Sequence, residues 1–289
     1  MLRLGHIEYS NCFPVHARLV DRGTPPGLEL VPGIPSRLNA ALAAGAIDVA
    51  PSSSIEYARH GGRYRILPDL VIGSDGPVQS ILVESVRPLD ALDGAEVAIP
   101  TASATSVVLL RILLEQRLGI RPRYRWFDQA TELDPLAAGA AAALRIGDVA
   151  LRRAFPAGRL VADLGAVWAD WTGLPFAFAI WQAGAGPEAD EELTRLHALL
   201  LESRAWFYEH ATALARRHGA AFGVAPERLE RYWRSLSYDL DERMRRGLLR
   251  YYACAAELGE VPAPPPPLRW VGAAPAEPPP RPPRPTARA

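Results

Sequence analysis

Small polar side chains follow short apolar segments at four places in the chain, and their types and spacing suggest a binding site. They are, in chain order, Asn11; Ser52 and Ser53; Ser103, Thr105 and Ser106; and Asp148 beside Gly147. Hydroxyl groups and free N–H groups at a helix N-terminus hold a carboxylate through charge-assisted hydrogen bonds, each worth about 1.5–3 kcal/mol. The pattern predicts an anion site, although an ordinary helix N-cap is an alternative for each serine and threonine.

Each of these groups stands between an apolar segment and an amphipathic segment. The apolar segments are Leu2–Glu8, Ile47–Ala50, Glu96–Pro100 and Ala141–Ile146. Apolar residues then recur at helical spacing, as in Val107, Leu110, Leu114 and Leu118 before Gly119. A strand, turn and helix repeated four times predict an α/β fold, in which ligands collect beyond the carboxyl ends of the strands. Phe176–Trp181 adds a predicted strand, and long helices are expected from Pro187 onward.

The composition excludes several kinds of chemistry. All 32 basic residues are arginine, so a Schiff-base lysine, a pyridoxal-phosphate anchor and a P-loop lysine are absent. The formal net charge is zero, which does not favour a nucleic-acid partner. The sequence contains neither a Gly-x-Gly-x-x-Gly motif after a strand nor a Gly-x-Ser-x-Gly motif, so dinucleotide binding and serine hydrolase activity are not expected.

Asn11 and Asp148 are the two most informative polar residues. Asn11 is one of two asparagines, and its carboxamide donates and accepts hydrogen bonds without titrating. It either contacts a ligand or caps the helix that begins near Pro14. Asp148 is open to the same two interpretations, a ligand contact or a helix N-cap.

Cys12 and Cys254 have neither the Cys-x-x-Cys spacing nor an evident Cys/His cluster, so we expect two reduced thiols and no metal site. Residues 262–289 contain 12 of the 28 prolines and are predicted to be a disordered tail. Apolar runs stay short of the ~18 residues of a membrane span, and the first residues lack a signal-peptide pattern. A cytoplasmic location without membrane attachment is therefore expected.

Five segments together resemble the chorismate dehydratase family (MqnA) of the futalosine route to menaquinone. They are Gly5-His6-Ile7-Glu8-Tyr9-Ser10-Asn11-Cys12-Phe13-Pro14, Ser74-Asp75-Gly76-Pro77-Val78, Thr105-Ser106-Val107, Ile146-Gly147-Asp148-Val149-Ala150-Leu151, and Asp163-Leu164-Gly165 through Trp171-Thr172-Gly173-Leu174-Pro175-Phe176. The resemblance implies a two-lobed fold similar to type II periplasmic binding proteins. Residues 2–92 and 178–261 would form lobe one, with the C-terminal helical segment packed on it, and residues 93–177 would form lobe two.

The resemblance also implies an activity, the removal of water from chorismate to give 3-[(1-carboxyvinyl)oxy]benzoate, with no redox cofactor or metal. Asn11 is then the expected catalytic residue and Asp148 the first rival, followed by Glu8, Glu56, His6 and His16 as rival bases. The expected contacts of this dicarboxylate substrate are Ser52, Ser53, Ser80, Ser103, Thr105, Ser106, Gly147 and Asp148. Two alternatives stay open, a non-catalytic solute-binding protein of the same fold and the sister naphthoate-forming enzyme. The oligomeric state is also open.

Overall fold

The strands form two mixed sheets of five strands each within residues 1–60, 62–184 and 186–272, which the computed structural model describes. The strands are β1 (Leu2–Ile7), β2 (Leu28–Gly33), β3 (Val49–Ser53), β4 (Arg65–Ser74), β5 (Ile81–Ser85), β6 (Glu96–Pro100), β7 (Arg123–Phe127), β8 (Ala142–Ile146), β9 (Leu160–Asp163) and β10 (Phe176–Ala183). The helices are α1 (Phe13–Arg22), α2 (Pro35–Ala43), α3 (Ser54–Arg59), α4 (Thr105–Arg111), α5 (Gly147–Arg152), α6 (Leu164–Thr172), α7 (Asp190–Phe222), α8 (Pro226–Ser235) and α9 (Glu242–Glu257).

Each sheet has a parallel part and an antiparallel part. The first sheet has the order β2-β1-β3-β10-β4, with β1 parallel to β2 and β3 and with β10 antiparallel to both of its neighbours. The second has the order β7-β6-β8-β5-β9, with β6 parallel to β7 and β8 and with β5 antiparallel to β8 and β9. The predicted α/β fold with two lobes is confirmed.

The two crossings between the sheets fall earlier in the chain than the sequence predicted. The expected boundary after residue 92 put β5 in lobe one, but β5 pairs with β8 and β9 in the second sheet. The expected boundary after residue 177 put the start of β10 in lobe two, but Phe176 and Ala177 pair with β4 in the first sheet. Backbone pairing therefore assigns β5 to lobe two and all of β10 to lobe one.

The two crossing segments are fastened to each other at Asp163. Its carboxylate caps α6 by accepting from the backbone N–H groups of Gly165 and Ala166. It also accepts from the N–H groups of Val78 and Gln79, at 3.0 and 2.6 Å, on the other crossing. This one carboxylate thus joins two of the segments on which the family resemblance rests.

The C-terminal helices reach beyond the lobe to which the sequence assigned them. Helix α7 packs on α1 of lobe one, as expected. Helix α9 contacts both lobes, because the Tyr252 hydroxyl donates to the carbonyl of Ser54 at 2.6 Å and the Tyr251 hydroxyl donates to the carbonyl of Thr105 at 3.0 Å. The C-terminal segment thus lies on lobe one and across the junction.

The prediction of a disordered tail from residue 262 is wrong for residues 262–272, and residues 273–289 lie outside the described part of the chain. Trp270 forms a bridge with Ile66 of β4, and Val271 is buried. The N–H of Ile66 donates to the carbonyl of Arg269, and the N–H of Val271 donates to the carbonyl of Ile66. Proline removes a donor but leaves the neighbouring residues free to pair with a strand edge.

The helix predicted to end at Gly119 is present but not regular. Helix α4 continues as a π-helical turn over Ile112–Arg117, and the N–H of Leu118 reaches the carbonyl of Leu113. Its residues Ile112, Leu113 and Leu114 are buried. Among the described residues, no helix combines the length and apolar character needed to cross a membrane.

Candidate active site

A small cavity of about 40 Å³ lies between the lobes and is lined by residues of both. Lobe one contributes the polar residues Tyr9, Asn11 and Ser53, and lobe two contributes Ser103 and Ser106. Gly147 and several apolar side chains complete the lining, and the described residues around it include no charged side chain. The cavity is therefore mostly apolar, with a few uncharged polar groups.

Asn11 occupies the turn between β1 and α1. The turn is closed by backbone hydrogen bonds from Cys12 to Tyr9 and from Phe13 to Ser10, and Pro14 stands in the first turn of α1. The helix begins without a side-chain cap, so the capping alternative for Asn11 is not what the structure shows. Its Oδ1 is buried and has no hydrogen-bond partner in the described structure. A buried acceptor without a partner costs about 1–3 kcal/mol, so this oxygen suits a ligand donor.

The predicted serines divide into two groups. Ser53, Ser103 and Ser106 line the cavity together with Asn11 and Gly147. Ser103 is also tied to its own turn, because its hydroxyl oxygen accepts from the N–H of Ser106 at 3.3 Å. The role of these residues in binding remains a prediction, but the fold brings them to one place.

The other three hydroxyl residues lie outside the cavity lining and bond to the protein. Ser52 donates to Oδ1 of Asn39 at 2.7 Å. Thr105 accepts from the N–H of Ile55 at 3.3 Å, across the junction between lobes. Ser80 accepts from the Tyr232 hydroxyl at 2.7 Å. All three are buried, and each satisfies a neighbouring polar group in this conformation.

Asp148 is buried outside the cavity lining and is bonded to Ser10 of the other lobe. Its carboxylate accepts from the Ser10 N–H at 3.1 Å and from the Ser10 hydroxyl at 2.5 Å. Burial raises the pKa of this carboxyl above its usual value, while the bonds from Ser10 act in the opposite direction. The motif predicted a ligand contact or a cap, and neither describes this contact between lobes.

Gly147 brings the two lobes close together. It has φ of +63° at the start of α5. A Cβ built on it would lie 2.7 Å from the ring of Tyr9, which is closer than real contacts allow. Glycine is required here both for the backbone angle and for the close approach of Tyr9.

The rival bases are placed away from the cavity lining. Glu8 is exposed, and Glu56 pairs with Arg59 and His60. His6 and His16 contact each other through their Nδ1 atoms at 2.9 Å inside lobe one. None of these four side chains lines the cavity in this structure, and their part in catalysis stays a prediction.

Cys12 joins these two histidines in a cluster that sequence spacing did not indicate. The ligand-type atoms of His6, Cys12 and His16 all lie within 4.8 Å of one another. The expectation that Cys12 has no neighbouring histidines is wrong, because the turn after β1 folds residue 12 back beside residue 6, and α1 places residue 16 one turn further. Burial raises the pKa of the Cys12 thiol to about 12 and lowers the pKa of His6 to about 4.

A larger groove of about 460 Å³ lies beside the cavity, and Ser103 lines both. Glu260 stands in this groove between the lobes. It pairs with Arg59 of lobe one at 2.6 Å and with Arg111 of lobe two. An ion-pair network that joins the two lobes therefore crosses this groove.

Ser10 and Trp233 support the site and were not singled out from the sequence. The indole N–H of Trp233 donates to the carbonyl of Ser10 at 2.7 Å, and its ring stacks on Phe13 at 5.0 Å between centroids. Ser10 lies in the first of the five segments that resemble the family, but its partners are 138 and 223 residues away. No local pattern encodes such contacts.

Two α/β lobes joined by two crossings around a small neutral cavity define a two-lobed fold of the periplasmic-binding-protein type. The periplasmic aliphatic sulphonate binding protein SsuA of Escherichia coli shares this fold, with a TM-score of 0.63 and 15% identity over 97% of this chain and 96% of that one. A protein of Archaeoglobus fulgidus is similar with a TM-score of 0.74 and 20% identity, over 90% of this chain and 98% of that one.

The chain belongs to the menaquinone biosynthesis family, whose sequence profile matches residues 2–257. It is 32% identical over 262 residues to the chorismate dehydratase of Thermus thermophilus, which covers 85% of this chain and 92% of that protein. It is 34% identical over 179 residues to the chorismate dehydratase of Campylobacter jejuni, which covers 61% of this chain and 64% of that protein. The family resemblance drawn from the sequence motifs is confirmed.

Proposed function

We propose that this protein is a hydro-lyase that removes water from chorismate and releases 3-[(1-carboxyvinyl)oxy]benzoate. Family membership and the chorismate dehydratases among the relatives support this activity. The unpartnered Oδ1 of Asn11 in the cavity between the lobes is the structural observation that carries the proposal. A substrate hydroxyl is the donor that this oxygen lacks.

The reaction breaks one ring C–H bond and the C–OH bond, forms water and makes the ring aromatic. No electrons pass to a second reactant, so the stoichiometry requires no redox cofactor. The gain of aromaticity supplies a large driving force. The remaining task of the protein is to hold one reactive conformer and to stabilise the departing hydroxyl.

The neutral cavity suggests how the roles are divided. Asn11 bonds the departing hydroxyl or positions the enolpyruvyl group, and Ser53, Ser103 and Ser106 hold a carboxylate through their hydroxyl and N–H groups. No titratable carboxylate, histidine or lysine lines the cavity among the described residues. We therefore assign the proton to a carboxylate of the substrate itself, which the fold brings into a site of low polarity where its basicity rises.

Substrate binding requires a more open form of the cleft. Pockets for small molecules typically have about 300–1,000 Å³, several times more than the 40 Å³ found here. We expect the hinge at the two crossing segments, which Asp163 fastens to each other. Closure after binding then expels water from around the reacting hydroxyl.

The test is to mix the purified protein with chorismate and to follow the diene absorbance together with the aromatic product by NMR. Loss of the diene with appearance of the enol ether benzoate supports the proposal. Binding of chorismate without conversion would indicate a solute-binding protein, and absence of binding would indicate the sister enzyme that acts later on the same route. Either of those results overturns the dehydratase assignment.

We further propose a cytoplasmic location, as expected for a biosynthetic enzyme. Fractionation of cells that express the tagged protein tests this, and recovery in a periplasmic or membrane fraction contradicts it.

A further inference from the structure

We propose that Asp148 is a positioning residue that acts through Ser10 and makes the placement of Asn11 depend on contact between the two lobes. The inference deepens the proposed function and rests on it, since it concerns the same cavity. It assigns Asp148 neither to proton transfer nor to the substrate.

All three polar groups of Ser10, its N–H, its hydroxyl and its carbonyl, are hydrogen-bonded. The Ser10 N–H lies 3.1 Å from both carboxylate oxygens of Asp148, and the Ser10 hydroxyl lies 2.5 Å from Oδ1. The Ser10 carbonyl accepts from the indole of Trp233 at 2.7 Å. Ser10 is therefore fixed from two sides, by lobe two through Asp148 and by helix α8 through Trp233.

Ser10 directly precedes Asn11, so its backbone sets where the Asn11 carboxamide points. The Asn11 Oδ1 has no hydrogen bond of its own to hold it in the cavity. The position of the carboxamide thus depends on the backbone of the turn and on the side chains packed around it. Charge-assisted bonds to a carboxylate are about twice as strong as neutral ones, which makes Asp148 the strongest restraint on this turn.

The restraint comes from the opposite lobe. Ser10 follows β1 in the first sheet, whereas Asp148 is the second residue of α5, directly after β8 in the second sheet. The neighbouring contact of the Tyr9 ring with Gly147 also crosses between the lobes. Separation of the lobes breaks both contacts together, and the turn then loses the support that aims Asn11.

Closure accordingly does two things in one motion. It encloses the cavity, and it completes the hydrogen bonds that position the catalytic carboxamide. While the cleft is open, these hydrogen bonds do not position Asn11. The elimination therefore waits for closure, which also displaces water from the cavity. Placement errors of about 1 Å are known to cost on the order of 100-fold in rate.

The experiment compares steady-state turnover of chorismate by the wild-type protein, Ser10→Ala, Asp148→Asn and the double variant. We expect each single variant to lower kcat about 10- to 100-fold with a smaller change in KM, because the substrate contacts persist. The double variant should be about as slow as the slower single variant, because both changes weaken the same contact. Ser10→Thr, which keeps the N–H and the hydroxyl, should restore most of the rate.

The matched control is Ser203→Ala, which removes a buried hydroxyl of α7 that accepts from the N–H of Arg18 at 3.0 Å, away from the cavity. It should leave kcat unchanged. Small-angle scattering adds a second readout. The compaction of the wild-type protein on binding the product should be reduced in Ser10→Ala and Asp148→Asn but kept in Ser203→Ala.

The possible results separate the two proposals. A wild-type protein that does not convert chorismate overturns the function. An active wild type with near-normal turnover in Ser10→Ala, together with inactive Asp148→Asn, makes Asp148 a direct base and overturns the positioning role. Rate losses that multiply in the double variant also overturn it. Both single variants change few atoms, and thermal unfolding verifies that they fold.

Discussion

The indole N–H of Trp181 donates to Nε2 of His16 at 3.1 Å in the core of lobe one. Because Trp181 is a donor only, Nε2 must be the unprotonated nitrogen, and the proton of the neutral ring lies on Nδ1. That proton points to Nδ1 of His6 at 2.9 Å. A metal ion on Nδ1 of His16 would require the proton to move to Nε2, opposite the indole N–H. The cluster with Cys12 is therefore better described as a hydrogen-bonded core element than as a metal centre.

This element should make the protein sensitive to mild acid. Burial lowers the pKa of His6 to about 4 and that of His16 well below 6.5. The unfolded chain takes up these protons as the pH falls below 6.5, whereas the folded protein does not. The free energy of unfolding should thus decrease from pH 6.5 toward 4, by up to about 1.4 kcal/mol per pH unit for each histidine.

Urea unfolding at several pH values measures this slope. His16→Gln, whose side-chain oxygen still accepts from Trp181, should give a flatter slope between pH 6.5 and 4. His60→Gln removes a histidine outside the cluster, serves as the matched control and should change the slope less than His16→Gln does. Equal slopes in all three proteins would contradict the prediction.

Replacing Asn11 should separate binding from chemistry. Asn11→Ala and the isosteric Asn11→Asp both remove the carboxamide, and the aspartate adds a negative charge next to a dianionic substrate. We expect kcat to fall by about 100- to 1,000-fold, the effect of losing one well-placed polar group on a developing charge. Asn11→Ala should still bind chorismate in calorimetry, while Asn11→Asp should bind it more weakly. Turnover near the wild-type level in Asn11→Ala excludes the assigned role.

Gly147→Ala should damage both the fold and the closed form. The positive φ of 63° alone costs an L-residue roughly 1–2 kcal/mol, and the added Cβ meets the Tyr9 ring. Thermal unfolding should show a lower Tm. Gly94→Ala has a similar φ of 62° with open space around the Cβ, so it isolates the backbone cost. If Gly147→Ala lowers the Tm no more than Gly94→Ala does, the predicted clash with the Tyr9 ring is wrong.

Three arginines of lobe two surround the carboxylate of Glu84. It is fully buried, pairs with Arg145 at 2.9 Å and with Arg153 at 2.8 Å, and lies 3.9 Å from Arg159. Glu84→Gln leaves the buried guanidinium of Arg145 without its carboxylate and should lower the free energy of unfolding by about 3–5 kcal/mol.

Chemical denaturation measures this loss. The control is Glu202→Gln, which breaks the exposed ion pair with Arg18 and should cost no more than about 1 kcal/mol. Similar losses in the two variants would show that burial does not govern the strength of these pairs here.

The sequence predicted the strands and turns that carry the site because these depend on local patterns. Glu96–Pro100 was predicted with the bounds that β6 has in the structure. The gathering of Asn11, Ser53, Ser103 and Ser106 followed from the rule that ligands bind beyond strand ends. The partners of Asp148, Ser80 and Thr105 did not follow, because each lies in a segment distant along the chain.

The crossings between lobes were misplaced for a related reason. Strand β5 is fully buried, as is β3 of the first sheet, so burial and composition alone do not tell which sheet it joins. That choice depends on pairing with β8 and β9, whose paired residues are 57 or more positions away in the sequence. Long-range backbone pairing was thus the main information missing from the sequence.

The segment around Trp270 has a bearing on how the protein avoids self-association. Strand β4 is an outer strand of the first sheet, and its unpaired N–H and C=O groups would offer a template for a strand of another molecule. Ile66 is engaged by Arg269 and Val271, and Gly73 is engaged by Ser237 through two backbone hydrogen bonds. The segment around Trp270 and the residue Ser237 therefore cover part of this strand edge. A protein shortened at residue 261 would keep its cavity but expose the edge of β4 around Ile66. It should aggregate at concentrations at which the longer chain remains monomeric or unaggregated in light scattering.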